Sequence, residues 1–368
     1  MPTTQQIIPG DCIEGMRTLP DASVHCCVTS PPYWGLRQYL PDGVRLKEDA
    51  PAEVLKELEG SIQEGMCIVN IYRKSEIPEH LQKWFEPAEI GLEDTPEAYV
   101  ARMVEVFREV RRVLRDDGTC WINLGDSYTH NTEKHPPQNG KDPKMATCNR
   151  ARASESTGIR KTNATGLPAK NLVGIPWRVA FALQADGWWL RQDIIWHKTN
   201  PLPESVTDRC TKAHEYVFLM TKSDRYFYDA EAVSEASKTF GRQGRGDALQ
   251  PKAQAIAATG FRKDPGLKDN FDRPTRNRRS VWTISTKPYS GAHFAVMPAD
   301  LVEPCIKAGC PEGGTVLDPF AGSGTTLAVA AELGRSGIGC ELNPEYIALA
   351  KKRIREARES VALFDGIP

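Results

Sequence analysis

The stretch TVLDPFAGSGTT, at residues 315–326, decides the fold. It opens with a short apolar run that ends in Asp318, which is typical of a buried strand. Gly322 and Gly324 come next, and they permit a tight turn in which the backbone approaches a ligand closely. A helix is predicted over 327–333. The order of strand, glycine-rich turn and helix predicts a cofactor site at the carboxyl end of a parallel strand.

A second carboxylate supports a nucleotide-type cofactor over a purely structural turn. A strand is predicted over 337–340, and it ends in Glu341, where a carboxylate can bind two ribose hydroxyls. Asn343 then begins a last helix. A dinucleotide turn would need a third glycine to bring a pyrophosphate onto the helix, but that position is Leu327. The turn therefore disfavours a nicotinamide dinucleotide.

Strands and helices alternate upstream of this turn. A helix is predicted from Thr95 to the pair at 117–118, followed by a buried strand over 120–124. A second helix over 176–185 and a strand over 188–196 come next. Residues 215–221 and 225–228 are predicted to form an antiparallel hairpin. These units indicate a mostly parallel sheet between helices, with most of its strands preceding the cofactor strand.

A second motif lies near the start of the chain. The apolar run VHCCVT, at residues 24–29, predicts a strand that leads directly into SPPY, at residues 30–33. Two successive prolines fix the backbone φ angle and remove two N–H donors. The segment is therefore expected to leave the sheet as a stiff loop that presents carbonyl groups.

Together, SPPY at 30–33 and DPFAGSG at 318–324 resemble the β group of amino-methylating DNA methyltransferases, in which the catalytic motif precedes the cofactor motif. The resemblance covers most of the chain outside 41–89, 129–170 and 231–280. It implies a circularly permuted, Rossmann-like α/β sheet with inserted loops and a small target-recognition region. It also implies S-adenosyl-L-methionine as the cofactor and double-stranded DNA as the partner.

The resemblance assigns the chemistry to particular residues. It makes Ser30, Pro31, Pro32 and Tyr33 catalytic: the Ser30 hydroxyl and the Pro31 carbonyl would each accept an amino hydrogen, and Tyr33 would stack on an extruded base. It implies cofactor-binding roles for Asp11, Cys12, His293, Asp318, Pro319, Phe320, Gly322, Gly324, Thr325, Glu341 and Asn343.

Charge is unevenly distributed along the chain. The 368 residues carry a formal net charge of -1, so any contact with nucleic acid has to be local. Residues 238–280 carry 11 Lys/Arg and 4 Asp/Glu, residues 129–170 carry 8 and 3, and residues 41–94 carry 6 and 13. The first two stretches are expected to be basic loops and the third an acidic insertion. DNA-binding roles are predicted for Arg242, Arg245, Arg273, Arg276, Arg278 and Arg279.

This reading divides the chain into four parts. Residues 1–40 and 90–230 form the catalytic half of the methyltransferase domain, 41–89 the acidic insertion, 231–285 the target-recognition region, and 286–368 the cofactor-binding half. No metal site is expected, because the ten cysteines form no CxxC pair and the seven histidines lack metal-ligand spacing. The sequence begins without a signal-peptide pattern and has no apolar run of membrane-spanning length, so a cytoplasmic location is expected.

Ser30 favours N4 of cytosine as the target, because adenine methyltransferases of the group tend to carry aspartate at that position. N6 of adenine remains the alternative within the family. Three rivals are an amino-methyltransferase of RNA or protein glutamine, a non-catalytic DNA-binding protein of the same fold, and a nicotinamide-dependent oxidoreductase. The sequence does not determine the DNA recognition site. It also leaves open whether the protein forms a homodimer and whether a separate restriction endonuclease is its partner.

Overall fold

A computed structural model describes most of the chain, namely residues 3–35, 43–47, 49–59, 71–129, 165–237, 274–287 and 296–365. The strands are β1 (Gln5–Pro9), β2 (Val24–Thr29), β3 (Gly43–Leu46), β4 (Ile71–Arg73), β5 (Phe85–Pro87), β6 (Leu114–Leu124), β7 (Trp189–His197), β8 (His214–Thr221), β9 (Glu235–Ala236), β10 (Thr275–Arg276), β11 (Val281–Thr283), β12 (Thr315–Asp318) and β13 (Ser336–Glu341). The α-helices are α1 (Cys12–Arg17), α2 (Ala52–Glu59), α3 (Pro96–Val113), α4 (Ile175–Ala185), α5 (Ala299–Gly309), α6 (Thr325–Glu332) and α7 (Pro344–Asp365).

Eight strands form the main sheet, in the order β1-β13-β12-β2-β6-β8-β7-β11. Every neighbouring pair is parallel except the two pairs that involve β8. The carboxyl ends of seven strands and the amino end of β8 therefore share one edge, called here the carboxyl edge. The cofactor strand β12 pairs directly with the catalytic strand β2. The predicted permuted, mostly parallel α/β sheet is confirmed.

The predicted hairpin of 215–221 with 225–228 is wrong. The strand β8 pairs with β6 on one side and with β7 on the other, so neither edge is free for a third partner. Residues 225–228 instead form a loop, in which the N–H of Phe227 donates to the carbonyl of Asp117. The strand β8 ends at Thr221, just before the polar pair at 223–224. Its two partner strands, β6 and β7, both precede it in the chain.

The predicted end of the long helix at 117–118 is also wrong. The helix α3 ends at Val113, and β6 begins at Leu114. Pairing of β2 with β6 shifts register between Val24 and Cys26, which absorbs the extra residues of β6. A Cβ at Gly118 would lie 2.7 Å from the side chain of Leu114, so this glycine is required by close packing within an irregular strand.

Alternate residues of β6 face different layers of helices. Cys120 and Ile122 belong to the core cluster that contains the apolar faces of α1, α3 and α4. Thr119 and Trp121 point the other way, toward Gly309 at the end of α5. The sheet is thus covered on both faces, as a mostly parallel sheet requires.

The acidic insertion has a small core of its own. The strands β3, β4 and β5 form an antiparallel sheet in the order β4-β3-β5. Against it pack α2, the 3₁₀ turn Glu79–Trp84, and Ile77, which follows the 3₁₀ turn Lys74–Glu76. The insertion is therefore folded where it is described. The core residues of this sheet are Val44, Val54, Leu58, Ile77, Leu81 and Phe85.

The chain divides into two compact units, one of which is Asp229–Arg279. Its described part contains the short antiparallel pair of β9 and β10. The predicted target-recognition region, residues 231–285, also includes β11, which is an edge strand of the main sheet. None of the described helices is long and apolar enough to cross a membrane, and the described residues contain no cluster of three or more His, Cys, Asp or Glu suited to a metal ion.

The contact of α5 with the sheet gives a stability prediction. A Cβ at Gly309 would lie 2.1 Å from Thr119 Oγ1 and 2.6 Å from Trp121 Nε1. Although alanine favours helices, Gly309→Ala should lower the free energy of unfolding by about 1–3 kcal/mol because the core is overpacked. Urea unfolding measures this, with Lys307→Ala on the exposed side of α5 as the control. An unchanged or raised stability for Gly309→Ala would contradict this packing.

Candidate active site

Functional side chains gather at the carboxyl edge of the main sheet. Asp11 follows β1, Glu341 ends β13, Asp318 ends β12 and Ser30 follows β2. The helix α6, which follows β12, and α3, which follows β2 after the acidic insertion, pack in different clusters, so the connections from these two neighbouring strands lead to opposite faces of the sheet. Open α/β sheets bind ligands at such a switch point.

Asp318 joins the two motifs. Its Oδ1 accepts hydrogen bonds from Thr29 Oγ1 at 2.6 Å and from the N–H of Phe320 at 3.0 Å. Both Asp318 and Thr29 are fully buried. Burial raises the pKa of the Asp318 carboxyl, and the hydrogen bond from Thr29 opposes that shift. Asp318 therefore fixes the glycine turn against the catalytic strand.

The glycine turn is connected to the end of β13 through Glu341. Its carboxylate accepts the N–H of Gly322 at 2.7 Å and the N–H of Asn343 at 2.8 Å. Burial raises the pKa of Glu341, and these two N–H donors oppose the rise. Gly322 has a φ of +51°, and among the described residues a Cβ there would meet only the Phe320 carbonyl oxygen, at 3.9 Å. The described residues therefore do not crowd this side of the turn.

The far side of the turn packs against the last helix. Gly324 has a φ of +77°, and an added Cβ would lie 2.8 Å from the Cβ of Ala350. Arg353, one turn further along α7, donates to Thr325 Oγ1 at 2.7 Å and to Ser323 Oγ at 3.3 Å. The sequence analysis did not single out Arg353. Its position in a helix far from the turn gave no signal.

The remaining predicted cofactor residues surround this turn. Asp11 is the N-cap of α1, where its Oδ1 accepts the N–H groups of Ile13 and Glu14, and its Oδ2 lies 3.6 Å from Arg102 Nη2. Cys12 and Pro319 are buried, and Phe320 packs against the main core. The predicted His293 lies outside the described residues.

The SPPY segment forms a loop whose backbone is fixed from one side. The Tyr99 hydroxyl donates to the Pro32 carbonyl at 3.0 Å. Just beyond, the indole N–H of Trp34 donates to the Glu93 carbonyl at 2.9 Å. Within the described part of the chain, no hydrogen bond ends on the carbonyl of Pro31. That carbonyl can accept a hydrogen from a substrate.

Ser30 and Tyr33 meet on the side chain of Asn123, near the end of β6. The hydroxyls of Ser30 and Tyr33 both lie 3.2 Å from Asn123 Oδ1. The Tyr33 hydroxyl also donates to Glu215 Oε2 at 2.7 Å. The Tyr33 ring lies on Gly125, where an added Cβ would come within 2.5 Å of a ring carbon. These contacts fix both hydroxyls and the plane of the aromatic ring.

Sequence reasoning missed Asn123, Gly125 and Glu215 as site residues. Asn123 and Gly125 lie at the carboxyl end of a predicted strand, which is a usable signal. Glu215 gave none, because its arrival at this edge depends on β8 running antiparallel to its neighbours.

The predicted DNA-binding arginines are only partly described. Arg242, Arg245 and Arg273 lie outside the described residues. In the unit Asp229–Arg279, Arg276 and Arg279 both form ion pairs with Glu235, and the side chain of Arg279 is 63% exposed. Arg278 lies between them in the segment that follows β10.

Comparison with known proteins identifies the family. A family model described as DNA methylase, covering N6 and N4 methyltransferases, matches residues 24–352. The chain belongs to this DNA methylase family. It is 38% identical to the Type II methyltransferase M.Cfr9I of Citrobacter freundii, across 95% of this chain and 87% of that protein. It is 39% identical to M.SmaI of Serratia marcescens, across 96% and 91%.

Among solved structures, the chain resembles PvuII DNA methyltransferase (cytosine-N4-specific) with a TM-score of 0.53 and 17% identity, covering 98% of this chain and 93% of that one. At this identity the likeness shows the fold alone. As a member of the DNA methylase family, the chain is a methyltransferase, and its cofactor is S-adenosyl-L-methionine. The expected family, fold, enzyme class and cofactor are confirmed.

Two substitutions separate the geometry of Asp318 from its charge. Asp318→Asn keeps an oxygen that accepts from Thr29 and Phe320, so cofactor affinity should stay within about tenfold of wild type. Asp318→Ala leaves the buried Thr29 hydroxyl and the Phe320 N–H without this acceptor, at about 1–3 kcal/mol each, and should weaken binding by about 30-fold or more. Calorimetric titration with S-adenosylmethionine measures both. Equal loss in the two variants would show that the charge itself contacts the cofactor.

A methyl group at position 125 should affect catalysis without affecting cofactor binding. Gly125→Ala displaces the Tyr33 ring, and a misplacement of about 1 Å lowers kcat on the order of 100-fold. Glu312→Ala, at an exposed position in the turn before β12 and thus at the opposite edge of the sheet, is the control. Full activity of Gly125→Ala would mean that the ring position does not matter for the reaction.

Proposed function

We propose that this chain is a site-specific Type II DNA methyltransferase that transfers a methyl group from S-adenosylmethionine to the N4 amino group of cytosine in duplex DNA. The observation that carries the proposal is the 2.6 Å hydrogen bond from Thr29 to Asp318, because it places the SPPY loop beside the glycine turn. Names of relatives such as M.Cfr9I and M.SmaI support the Type II class.

The residues of the loop suit an amino group as the acceptor of the methyl group. The lone pair of an exocyclic amine is delocalised into the base, so the enzyme has to localise and align it. The Ser30 hydroxyl oxygen and the Pro31 carbonyl can each accept one amino hydrogen. Pro32 keeps the loop stiff, and the Tyr33 ring offers a face on which an extruded base stacks. In the transfer, the nitrogen–carbon bond forms as the sulfur–carbon bond breaks, its electron pair stays on sulfur, and the amine loses one proton to solvent.

The cofactor residues fit a nucleoside that carries a methionine moiety. S-adenosylmethionine supplies an electrophilic methyl group when it is bound. In this proposal Glu341, at the end of β13, accepts hydrogen bonds from ribose hydroxyls, and the ligand binds over the Gly322 turn, close to the backbone. Asp11 lies at the end of β1, the edge strand beside β13, where it can contact the adenine.

Ser30 supports cytosine as the target base. A carboxylate is the stronger acceptor for polarising a weakly nucleophilic amine, and adenine methyltransferases of the group tend to carry one at this position. Here the acceptor is a neutral hydroxyl.

DNA binding is assigned to the basic segments. Arg242, Arg245, Arg273, Arg276, Arg278 and Arg279 contact phosphates and guanine edges in this proposal. The local excess of positive charge over 238–280 supports it, because phosphate contacts supply most of the affinity for duplex DNA. A target-recognition role for the unit Asp229–Arg279 follows from the same charge.

The modified base decides the proposal directly. Unmethylated duplex DNA incubated with the pure enzyme and S-adenosylmethionine should yield N4-methylcytosine after digestion to nucleosides and chromatography. A preparation from cells that lack the gene, purified in the same way, is the control for contaminating methyltransferases. N6-methyladenine as the product would contradict the cytosine target, and the absence of any methylated nucleoside would contradict the activity.

A further inference from the structure

A carboxylate lies behind the catalytic loop, on the strand that runs against the rest of the sheet. Glu215 is the second residue of β8, and its side chain is 16% exposed. One carboxylate oxygen, Oε2, accepts from the Tyr33 hydroxyl at 2.7 Å and from Asn123 Nδ2 at 3.3 Å. The other, Oε1, is paired with the ammonium group of Lys198, which follows β7.

These contacts fix the orientation of the Asn123 amide. Its Nδ2 has two acceptors, the Glu215 carboxylate and the carbonyl of Tyr216 at 3.1 Å. A flipped amide would place its oxygen against both acceptors, which is electrostatically unfavourable. The amide oxygen therefore faces the hydroxyls of Ser30 and Tyr33.

Glu215 also decides which hydroxyl uses the amide oxygen. The Tyr33 hydroxyl has one hydrogen, and its contact with Glu215, at 2.7 Å, is shorter than its contact with Asn123, at 3.2 Å. Hydrogen bonds to an ionised acceptor are the stronger ones. The hydrogen of Tyr33 thus goes to Glu215, and Asn123 Oδ1 accepts the hydrogen of Ser30.

We propose that Glu215 is a positioning residue for amino-methylation, which acts through Asn123 to keep the Ser30 hydroxyl oxygen free to accept a hydrogen bond from the target amine. The inference rests on the proposed function of the SPPY loop. A hydroxyl that donates its hydrogen to Asn123 presents only lone pairs to the substrate. Lys198 keeps the Glu215 side chain in place through its ion pair. Glu215 touches neither the base nor the cofactor in this role.

The inference is tested by measuring the total methyl transfer to DNA that the Glu215→Gln variant catalyses. A glutamine has only one oxygen, so it cannot accept from Tyr33 and Asn123 on one side and from Lys198 on the other, as the two carboxylate oxygens do, and one of these donors meets an NH2 group instead. The expected result is a loss in kcat on the order of 100-fold, with KM for S-adenosylmethionine and for DNA unchanged. In a Ser30→Ala background the further loss should be less than about threefold, because the oxygen that Glu215 prepares is absent.

A matched control for Glu215→Gln lies far from the catalytic loop. Glu312→Gln makes the same substitution at the opposite edge of the sheet and should leave kcat unchanged. An unchanged kcat in Glu215→Gln, or an equal loss with and without Ser30, overturns the inference. If Glu215→Gln does not fold, Asn123→Ala is compared in the same two backgrounds with the same expectation. Methyl groups are counted on both cytosine and adenine, so the test does not depend on which base is the target. An inactive wild-type enzyme would contradict the proposed function and not the role of Glu215.

Discussion

The hydrogen bond from Thr29 to Asp318 is the contact on which the site depends. It joins residues that are 289 positions apart, and it lies where two neighbouring strands end. On one side, Asp318 fixes the start of the glycine turn through the N–H of Phe320. On the other, Thr29 is the last residue before the SPPY loop. Because both residues are buried, removing either side chain removes a hydrogen bond that solvent cannot replace.

The order of the motifs along the chain matters less than the order of the strands in the sheet. The catalytic strand β2 is separated from the cofactor strand β12 by most of the chain, yet the two are neighbours. The acidic insertion and the unit Asp229–Arg279 both lie between them in sequence, and neither interrupts the pairing. The permuted order of the two motifs along the chain therefore still brings the cofactor strand and the catalytic strand side by side.

Much of this architecture could be predicted from the sequence. The run that ends in Asp318 and the run that ends before Ser30 are short, apolar and bounded by glycine or proline, and such local signals identify strands and turns. The failures have a common cause. The role of residues 225–228 and the end of α3 depend on which strands pair and in which register, and neither property is written in a local pattern. Glu215 was missed for the same reason, since only the antiparallel course of β8 brings it to the catalytic loop.

The carboxylates predicted for the cofactor site have hydrogen-bond partners within the protein. Asp318 Oδ1 accepts from two donors, Thr29 and the N–H of Phe320. Glu341 and Asp11 likewise have backbone N–H groups as partners. These carboxylates therefore shape the loops at this edge of the sheet.

A double-mutant cycle tests most directly whether the Thr29–Asp318 contact couples the two motifs. The dissociation constant of S-adenosylmethionine would be measured for Thr29→Val, for Asp318→Ala and for the double variant, with a cofactor concentration range wide enough for weak binding. The account predicts that Thr29→Val weakens binding, although Thr29 does not contact the cofactor, and that this effect disappears when Asp318 is alanine, with a coupling of about 0.5–3 kcal/mol. Additive effects, or full affinity in Thr29→Val, would contradict it.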